Sequence, residues 1–154
     1  MKARALGALV GVAAVLSGLL VASPAQAASG PVYARVYYPN PSGSGGEASA
    51  DLNFTGRSNV TVRYLKVRDV CPGDGRPVRA VLVATRTDGS RVNISPYYSD
   101  TNGCGSDGTQ FPTVKLGLGG GQRIKSLSLK VCVYTAALGN VKCVTSSARS
   151  NPYT

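Results

Sequence analysis

Residues 126–133 read Ser-Leu-Ser-Leu-Lys-Val-Cys-Val and carry the clearest pattern of the chain. Apolar side chains alternate strictly with polar or small ones, as in a β-strand that buries one face. Short extended segments recur on both sides, separated by Gly, Pro, Asn and Asp, and lie at residues 32–38, 48–55, 60–67, 78–87, 91–95, 113–118 and 141–145. Because turn signals recur about every 8–12 residues and no helical pattern follows residue 27, the sequence predicts an all-β fold, an antiparallel β-sandwich of about seven to eight strands.

Two local signals refine this prediction. Val60, Val62 and Tyr64 share one face of a strand, whereas the next apolar pair falls on the opposite phase, which predicts a β-bulge at residues 64–65. Asp88-Gly89 follows a Val- and Thr-rich segment and predicts a two-residue hairpin turn.

The first 27 residues have the form of a secretory signal peptide. Lys2 and Arg4 precede an uncharged apolar run, and Ala25-Gln26-Ala27 is an A-x-A cleavage site. The alternative, a membrane anchor, is disfavoured by the cleavage site and by a run of about 17 residues, short for a span. We therefore expect a secreted protein with no membrane attachment after signal removal. Residues 28–46 are predicted to be an N-terminal strand or a flexible Pro/Gly/Ser-rich segment, and residues 47–154 a single β domain.

Four cysteines lie beyond the signal peptide and predict two disulfides. A zinc site is the rival interpretation, but the chain lacks both His and paired C-x₂-C spacing. Cys132 and Cys143 fall directly opposite each other if the intervening loop is centred between residues 137 and 138. A turn at Gly139-Asn140 would shift the register and remove this argument. The preferred pairing is Cys132–Cys143, which leaves Cys71–Cys104.

The second predicted disulfide would join two acidic loops, residues 69–75 and 100–108. Hard oxygen ligands suit Ca²⁺, so the loops offer a calcium site, formed by Asp69, Asp74, Asp100, Asn102 and Asp107. The D-x-[DN]-x-[DN]-G pattern is not met, because Cys104 stands at the third ligand position. Asp, Asn and Gly are also the residues that tight turns prefer. We favour turn chemistry, predict no cofactor, and keep calcium as the alternative.

The same loops carry a resemblance. Residues 69–75, Asp-Val-Cys-Pro-Gly-Asp-Gly, and 99–105, Ser-Asp-Thr-Asn-Gly-Cys-Gly, resemble small secreted, disulfide-containing proteins of actinomycetes. The resemblance covers roughly 60 residues, ending near residue 132. It implies export and disulfides, and it implies no activity, because that group has none assigned.

Most catalytic chemistry is excluded by composition. The chain has no His, which removes Ser-His-Asp and Cys-His sites. If all four cysteines are oxidised, no thiolate nucleophile remains. Glu47 is the only Glu, no nucleotide-binding motif is present, and a carboxylate pair such as Asp69 with Asp100 would lack tryptophan platforms. We therefore expect that the protein is not an enzyme.

Positive charge is the remaining feature. Removing residues 1–27 leaves 127 residues with 15 basic and 7 acidic side chains, a net charge of +8. Tyrosines at positions 37, 38, 97 and 98 interleave with the cations as stacking or sugar-contact groups. The candidate binding residues are Arg63, Arg68, Arg79, Arg86, Arg91, Tyr97 and Tyr98. A solvated face that only maintains solubility is the simpler interpretation.

These observations predict a non-catalytic binding or structural module, retained on an anionic cell-surface polymer by basic strand faces. No nucleic-acid-binding motif is present, so specific nucleic-acid recognition is not expected. The alternative is a secreted effector or enzyme inhibitor that presents the disulfide-braced loop at residues 96–108 to an extracellular protein partner. A rigid loop loses less entropy on binding, which is the advantage of such a device.

Overall fold

The computed structural model describes residues 29–38, 44–70, 77–105, 107–134 and 141–154, and in these ranges the protein is all-β with no helix. The predicted signal peptide lies outside them. The strands are β1 (Gly30–Tyr37), β2 (Gly45–Phe54), β3 (Asn59–Val70), β4 (Val78–Arg86), β5 (Arg91–Ser99), β6 (Thr109–Gln110), β7 (Val114–Gly117), β8 (Ile124–Tyr134), β9 (Val141–Thr145) and β10 (Arg149–Ser150). Within the described residues no helix is long and apolar enough to cross a membrane.

The strands form two antiparallel sheets of five strands each. In the first sheet, β2 lies between β1 and β3, and β6 and β7 pair with successive parts of β3. In the second sheet, β4 lies between β5 and β8, and β9 and β10 pair with successive parts of β8. The sequence predicted seven to eight strands. The two additional strands are the two-residue β6 and β10, too short to show a period.

One hydrophobic cluster draws side chains from both sheets. Leu52 and Val62 from the first sheet and Leu82, Leu127 and Leu129 from the second are all fully buried members of it. The sheets approach closely at one end, where a Cβ added to Gly46 would lie 2.5 Å from Val78 Cγ1. Because that distance is shorter than real Cβ contacts, the close approach requires glycine at position 46.

β1 pairs with β2 along its whole length, from Gly30 opposite Leu52 to Tyr37 opposite Gly45. The Arg149 guanidinium in the second sheet donates to the Pro31 carbonyl from Nε at 3.0 Å and from Nη2 at 2.6 Å. Residues 30–37 are therefore part of the sheet. Of the two predictions for the segment 28–46, a strand or a flexible segment, these residues form the strand. Residues 28 and 39–43 lie outside the described ranges.

The bulge occurs where the phase slip predicted it. Ser49 pairs with Lys66 and Asp51 with Arg63, so β3 has one residue more than β2 at this point. Leu65 is fully buried, as the phase change requires. Tyr64 does not share the face of Val60 and Val62, however, because the bulge begins at Tyr64 and leaves its side chain 69% exposed.

The β4–β5 hairpin differs from the predicted two-residue turn. Gly89 N donates to Arg86 O at 3.0 Å, and Arg86 N donates to Ser90 O at 2.8 Å, so the loop has three residues. Gly89 has a φ of +86°. It is the residue with left-handed backbone that commonly ends a three-residue hairpin loop. Asp88 Oδ1 accepts from Ser90 N at 2.8 Å and from Ser90 Oγ at 2.6 Å, and these contacts close the turn.

The predicted Cys132–Cys143 disulfide is present, and the two cysteines are direct partners in the β8–β9 pairing. Cys104 is not a free thiol. Its predicted partner, Cys71, lies outside the described residues, so the Cys71–Cys104 pairing stays a prediction. Residues 135–140, which contain the predicted turn between Cys132 and Cys143, also lie outside them.

The loop that the sequence places at residues 96–108 is shorter in the structure. Pro96 follows a cis peptide bond within β5, which continues to Ser99, and the loop then runs from Asp100 to Gly108. β5 is an edge strand. Proline, which has no backbone N–H, is tolerated there because that position can face away from any neighbouring strand.

Candidate polymer-binding face

The outward side of the first sheet is set by the alternation in β2. Ala48, Ala50, Leu52 and Phe54 are buried in the core. Residues between them point to the other side, and their cross-strand partners lie on that side as well. We call this side the first outer face; its charged residues, its tyrosines and the serine between them are Tyr33, Arg35, Tyr37, Glu47, Ser49, Asp51, Arg63, Tyr64, Lys66, Arg68 and Lys115.

Glu47 is the centre of a polar cluster on this face. Arg35, Glu47 and Arg68 stand in one row across β1, β2 and β3. Arg68 Nη1 lies 3.1 Å from Glu47 Oε1, and Arg35 Nη1 lies 3.5 Å from Glu47 Oε2. The Tyr33 hydroxyl donates to Glu47 Oε2 at 2.9 Å. Partial burial, followed by the hydrogen bond and the negative charge of Glu47, raises the pKa of the Tyr33 phenol.

The tyrosines of the first outer face are exposed and interleaved with arginine. Tyr33 is 54% exposed and Tyr37 is 42% exposed. The Arg35 guanidinium lies 4.8 Å from the centre of the Tyr37 ring, within cation–π distance. These residues occupy alternate positions of β1, and the pattern Tyr-x-Arg-x-Tyr at 33–37 is the sequence signal that would have identified them.

The first outer face carries an excess of positive charge. Its described residues include five cations, Arg35, Arg63, Lys66, Arg68 and Lys115, against two carboxylates, Glu47 and Asp51. Glu47 is already within ion-pair distance of two arginines. Asp51 is the cross-strand partner of Arg63. A cleft of about 390 Å³ adjoins the face where Thr61 and Lys115 pair. The face therefore combines cationic and aromatic groups on a broad surface.

The predicted binding residues divide between several places. Arg63 and Arg68 lie on the first outer face. Arg79, Arg91 and Tyr97 lie on the outward side of the second sheet, which we call the second outer face. There the Tyr97 hydroxyl accepts from Asn93 Nδ2 at 2.9 Å.

Arg86 ends β4 opposite the buried Ile124, and so it points toward the end of the core rather than to either outer face. Tyr98 is 5% exposed, and its ring meets the Phe111 ring edge-on at 4.9 Å. It is not available to a ligand, because the strand alternation that turns Tyr97 outward turns Tyr98 into the core.

The described part of the two acidic segments meets at Asp100, which is buried. Asp100 Oδ2 accepts from Asp69 N at 2.7 Å, and Oδ1 accepts from Thr109 Oγ1 at 2.7 Å and from Asn102 N at 3.3 Å. Asn102 Nδ2 donates to Gly108 O at 2.9 Å. The sequence placed Asp69 and Asp100 at one end of the domain, and the structure brings them into contact through the main-chain N–H of Asp69.

The proposed calcium ligands are described only in part, because Asp74 lies outside the described ranges. Within those ranges no group of three or more His, Cys, Asp or Glu side chains could hold a metal. The contact from Asn102 N to Asp100 Oδ1 is an Asx turn, the arrangement that makes Asp and Asn common in loops. Calcium binding stays a prediction.

No protein family, curated protein or solved structure matches the chain.

Proposed function

We propose that this protein is a secreted, non-catalytic binding module, a disulfide-linked β-sandwich retained on an anionic cell-surface polymer by its first outer face. The observation that carries the proposal is the charge of that face, five cations against two carboxylates in its described residues. The three cations in excess of the carboxylates give this face a positive potential, which attracts a polyanion.

Sequence composition supports the same proposal. The chain after residue 27 carries a net charge of +8 and no His, and Glu47 is its only Glu. Glu47 accepts a hydrogen bond from Tyr33 and lies within ion-pair distance of Arg35 and Arg68, so its carboxylate oxygens are engaged within the face. Exposed tyrosines between the cations add flat apolar surface for the non-ionic parts of a polymer.

The test is co-sedimentation of the purified mature protein with insoluble cell walls across a salt series. We expect retention at low salt that falls steeply as salt screens the interaction. The double variant Arg63→Gln/Lys66→Gln removes two charges from the first outer face. The matched control Arg91→Gln/Lys130→Gln removes two charges from the second outer face. Retention of the first variant is expected to end at lower salt than that of the wild type or of the control.

Two results would overturn the proposal. Absence of retention at low salt would exclude binding to an anionic wall polymer. Equal loss in both double variants would show that net charge alone acts, without a binding face.

A second candidate function rests on the loop at Asp100–Gly108. The two ends of the loop are joined at its base, because Asp100 Oδ1 accepts from Thr109 Oγ1 and Asn102 Nδ2 donates to Gly108 O, and Cys104 near its middle is not a free thiol. A loop held in this way suits a secreted effector or enzyme inhibitor that binds an extracellular protein. Saturable one-to-one binding to an extracellular enzyme, lost when residues 101–107 are replaced by glycine and serine, would favour this candidate.

A further inference from the structure

Tyr64 has an unusual backbone for its residue type. Its φ is +53°, in the left-handed region that side chains other than those of Gly, Asn and Asp rarely adopt. Packing of the ring offsets little of this backbone strain, because the residue is 69% exposed. Glycine would adopt this backbone conformation without strain. A large aromatic side chain in a strained and exposed position points to a role in recognition.

The bulge gives Tyr64 a place that a regular strand does not offer. In a regular strand adjacent side chains point to opposite faces. Here Val62 and Leu65 are both buried, and the two residues between them, Arg63 and Tyr64, are both exposed. Bulges commonly re-aim a side chain in this way at binding sites. The result is an aromatic ring beside a guanidinium on the first outer face.

The neighbours of Tyr64 leave its ring accessible. The pairs Ser49–Lys66 and Asp51–Arg63 flank the bulge, and Tyr33 stands opposite Ser49 on β1. Because the Ser49 side chain is small, it leaves a shallow depression on the sheet between Tyr33 on β1 and Tyr64 on β3. Two strand spacings, roughly 10 Å, separate Tyr33 from Lys66, its counterpart in the same row of β3, and Tyr64 lies two residues from Lys66 along β3. Cations stand beside the ring along β3, at Arg63 and Lys66.

We propose that Tyr64 is a stacking subsite for a sugar ring of an acidic polysaccharide, whose carboxylates meet Arg63 and Lys66. This inference rests on the proposed function and specifies its ligand class. The axial C–H groups of a pyranose form an apolar surface that matches the face of a tyrosine ring, whereas polyanions without rings offer nothing to stack. Charge alone would retain either kind of polymer, so the ring is the feature that distinguishes them.

The test compares two soluble polyanions by isothermal titration calorimetry: polygalacturonate, built of sugar rings with carboxylates, and polyphosphate, which has no ring. Tyr64→Gly removes the ring and relieves the backbone, so this variant is expected to stay folded, with a melting temperature no lower than that of the wild type. We expect it to bind polygalacturonate about tenfold more weakly and polyphosphate within twofold of the wild type, because one aromatic stacking contact contributes about tenfold or more.

Two variants serve as controls. Tyr64→Phe keeps the ring and is expected to bind polygalacturonate within twofold of the wild type. Tyr97→Ala removes an exposed tyrosine from the second outer face and is expected to change neither affinity. The charge variant Arg63→Gln/Lys66→Gln is expected to lose affinity for both polymers.

The outcomes separate this inference from the function on which it rests. Unchanged binding of polygalacturonate by Tyr64→Gly, together with loss in the charge variant, would overturn the stacking subsite and leave the basic face standing. Tighter binding of single-stranded poly(dT) than of polygalacturonate would also overturn it, because nucleobases would then be the rings recognised. Failure of the wild type to bind any of these polyanions would overturn the proposed function itself.

Discussion

Replacing Asp100 by alanine is expected to destabilise the domain strongly, although the residue is next to an exposed loop. The carboxylate is 6% exposed and accepts from Asp69 N and Thr109 Oγ1, each at 2.7 Å, and from Asn102 N at 3.3 Å. These contacts join the end of β3, the end of β5 and the start of β6. The variant therefore removes the acceptor on which three segments converge.

The magnitude follows from these contacts. A hydrogen bond to a charged group contributes about 1.5–3 kcal/mol, and the two short bonds count in full. Burial of the carboxylate opposes them, so we expect Asp100→Ala to lower the free energy of unfolding by about 3 kcal/mol. Thr109→Val removes the bond to Asp100 and also the 2.9 Å bond that Thr109 Oγ1 accepts from Thr101 N, and it is expected to cost about 1–2 kcal/mol. Asp100→Asn keeps the shape but loses the charge, and its expected cost is also about 1–2 kcal/mol, below that of Asp100→Ala.

The assay is urea unfolding of the mature protein followed by circular dichroism, with thermal melting in parallel. For a domain of this size the alanine variant is expected to melt roughly 10–15 °C below the wild type. The slope of unfolding free energy against urea should not change, because the folded state stays compact. An alanine variant within about 1 kcal/mol of the wild type would refute the reasoning, as would a cost for Thr109→Val that equals the cost for Asp100→Ala.

Three further predictions concern single features of the second sheet. Tyr98→Phe is expected to stabilise the domain by about 1 kcal/mol, because the Tyr98 hydroxyl is buried with no hydrogen-bond partner in the described part of the chain. Burial also raises the pKa of Tyr98, so the free energy of unfolding of the wild type should fall as pH rises above 10, and the stability advantage of Tyr98→Phe should grow. Urea unfolding of the two proteins at pH 7 and at pH 10.5 measures this difference, and a Tyr98→Phe variant less stable than the wild type would contradict the prediction. Hydrogen bonds from the Ser90 side chain and then its backbone lower the pKa of Asp88, so Ser90→Ala should move that pKa up toward 3.8 in a carboxyl-carbon NMR titration, whereas no movement would contradict the assignment. Removing the disulfide with Cys132→Ala/Cys143→Ala should cost about 2–3 kcal/mol, because its loop spans 11 residues; a loss below about 0.5 kcal/mol in urea unfolding would show that the hairpin holds without it.

Local patterns in the chain carried much of the fold. Alternation predicted β8 and most of the longer strands, since a strand with one buried face has to alternate. The phase slip between Tyr64 and Leu65 located the bulge, because the core must receive Leu65 as well. A loop centred between residues 137 and 138 was the condition for placing Cys132 opposite Cys143, and the observed pairing agrees with it. Each of these conclusions depends on neighbours in the sequence.

The candidate site was predicted less completely. Positive charge indicated a basic protein, and Arg63 and Arg68 do stand on one face. Glu47, Arg35 and Tyr33 were not singled out, because they converge only when β1 pairs with β2 and β2 with β3. Tyr98 looked like an exposed partner of Tyr97, since two adjacent tyrosines in a polar segment do not show which one enters the core.

The order of residues along the chain predicted the longer strands, the bulge and, given a loop centred between residues 137 and 138, the cross-strand disulfide, because side-chain period and spacing act over a few residues. Three features required the folded sheets: the pairing of β1, the two-residue strands β6 and β10, and the division of the arginines between two opposite faces. Alternation determines which side of a strand is buried, but it does not say which strand lies beside it. Neighbouring strands are chosen by long-range packing over the shared core, and that choice gathers Tyr33, Arg63 and Tyr64 on one surface.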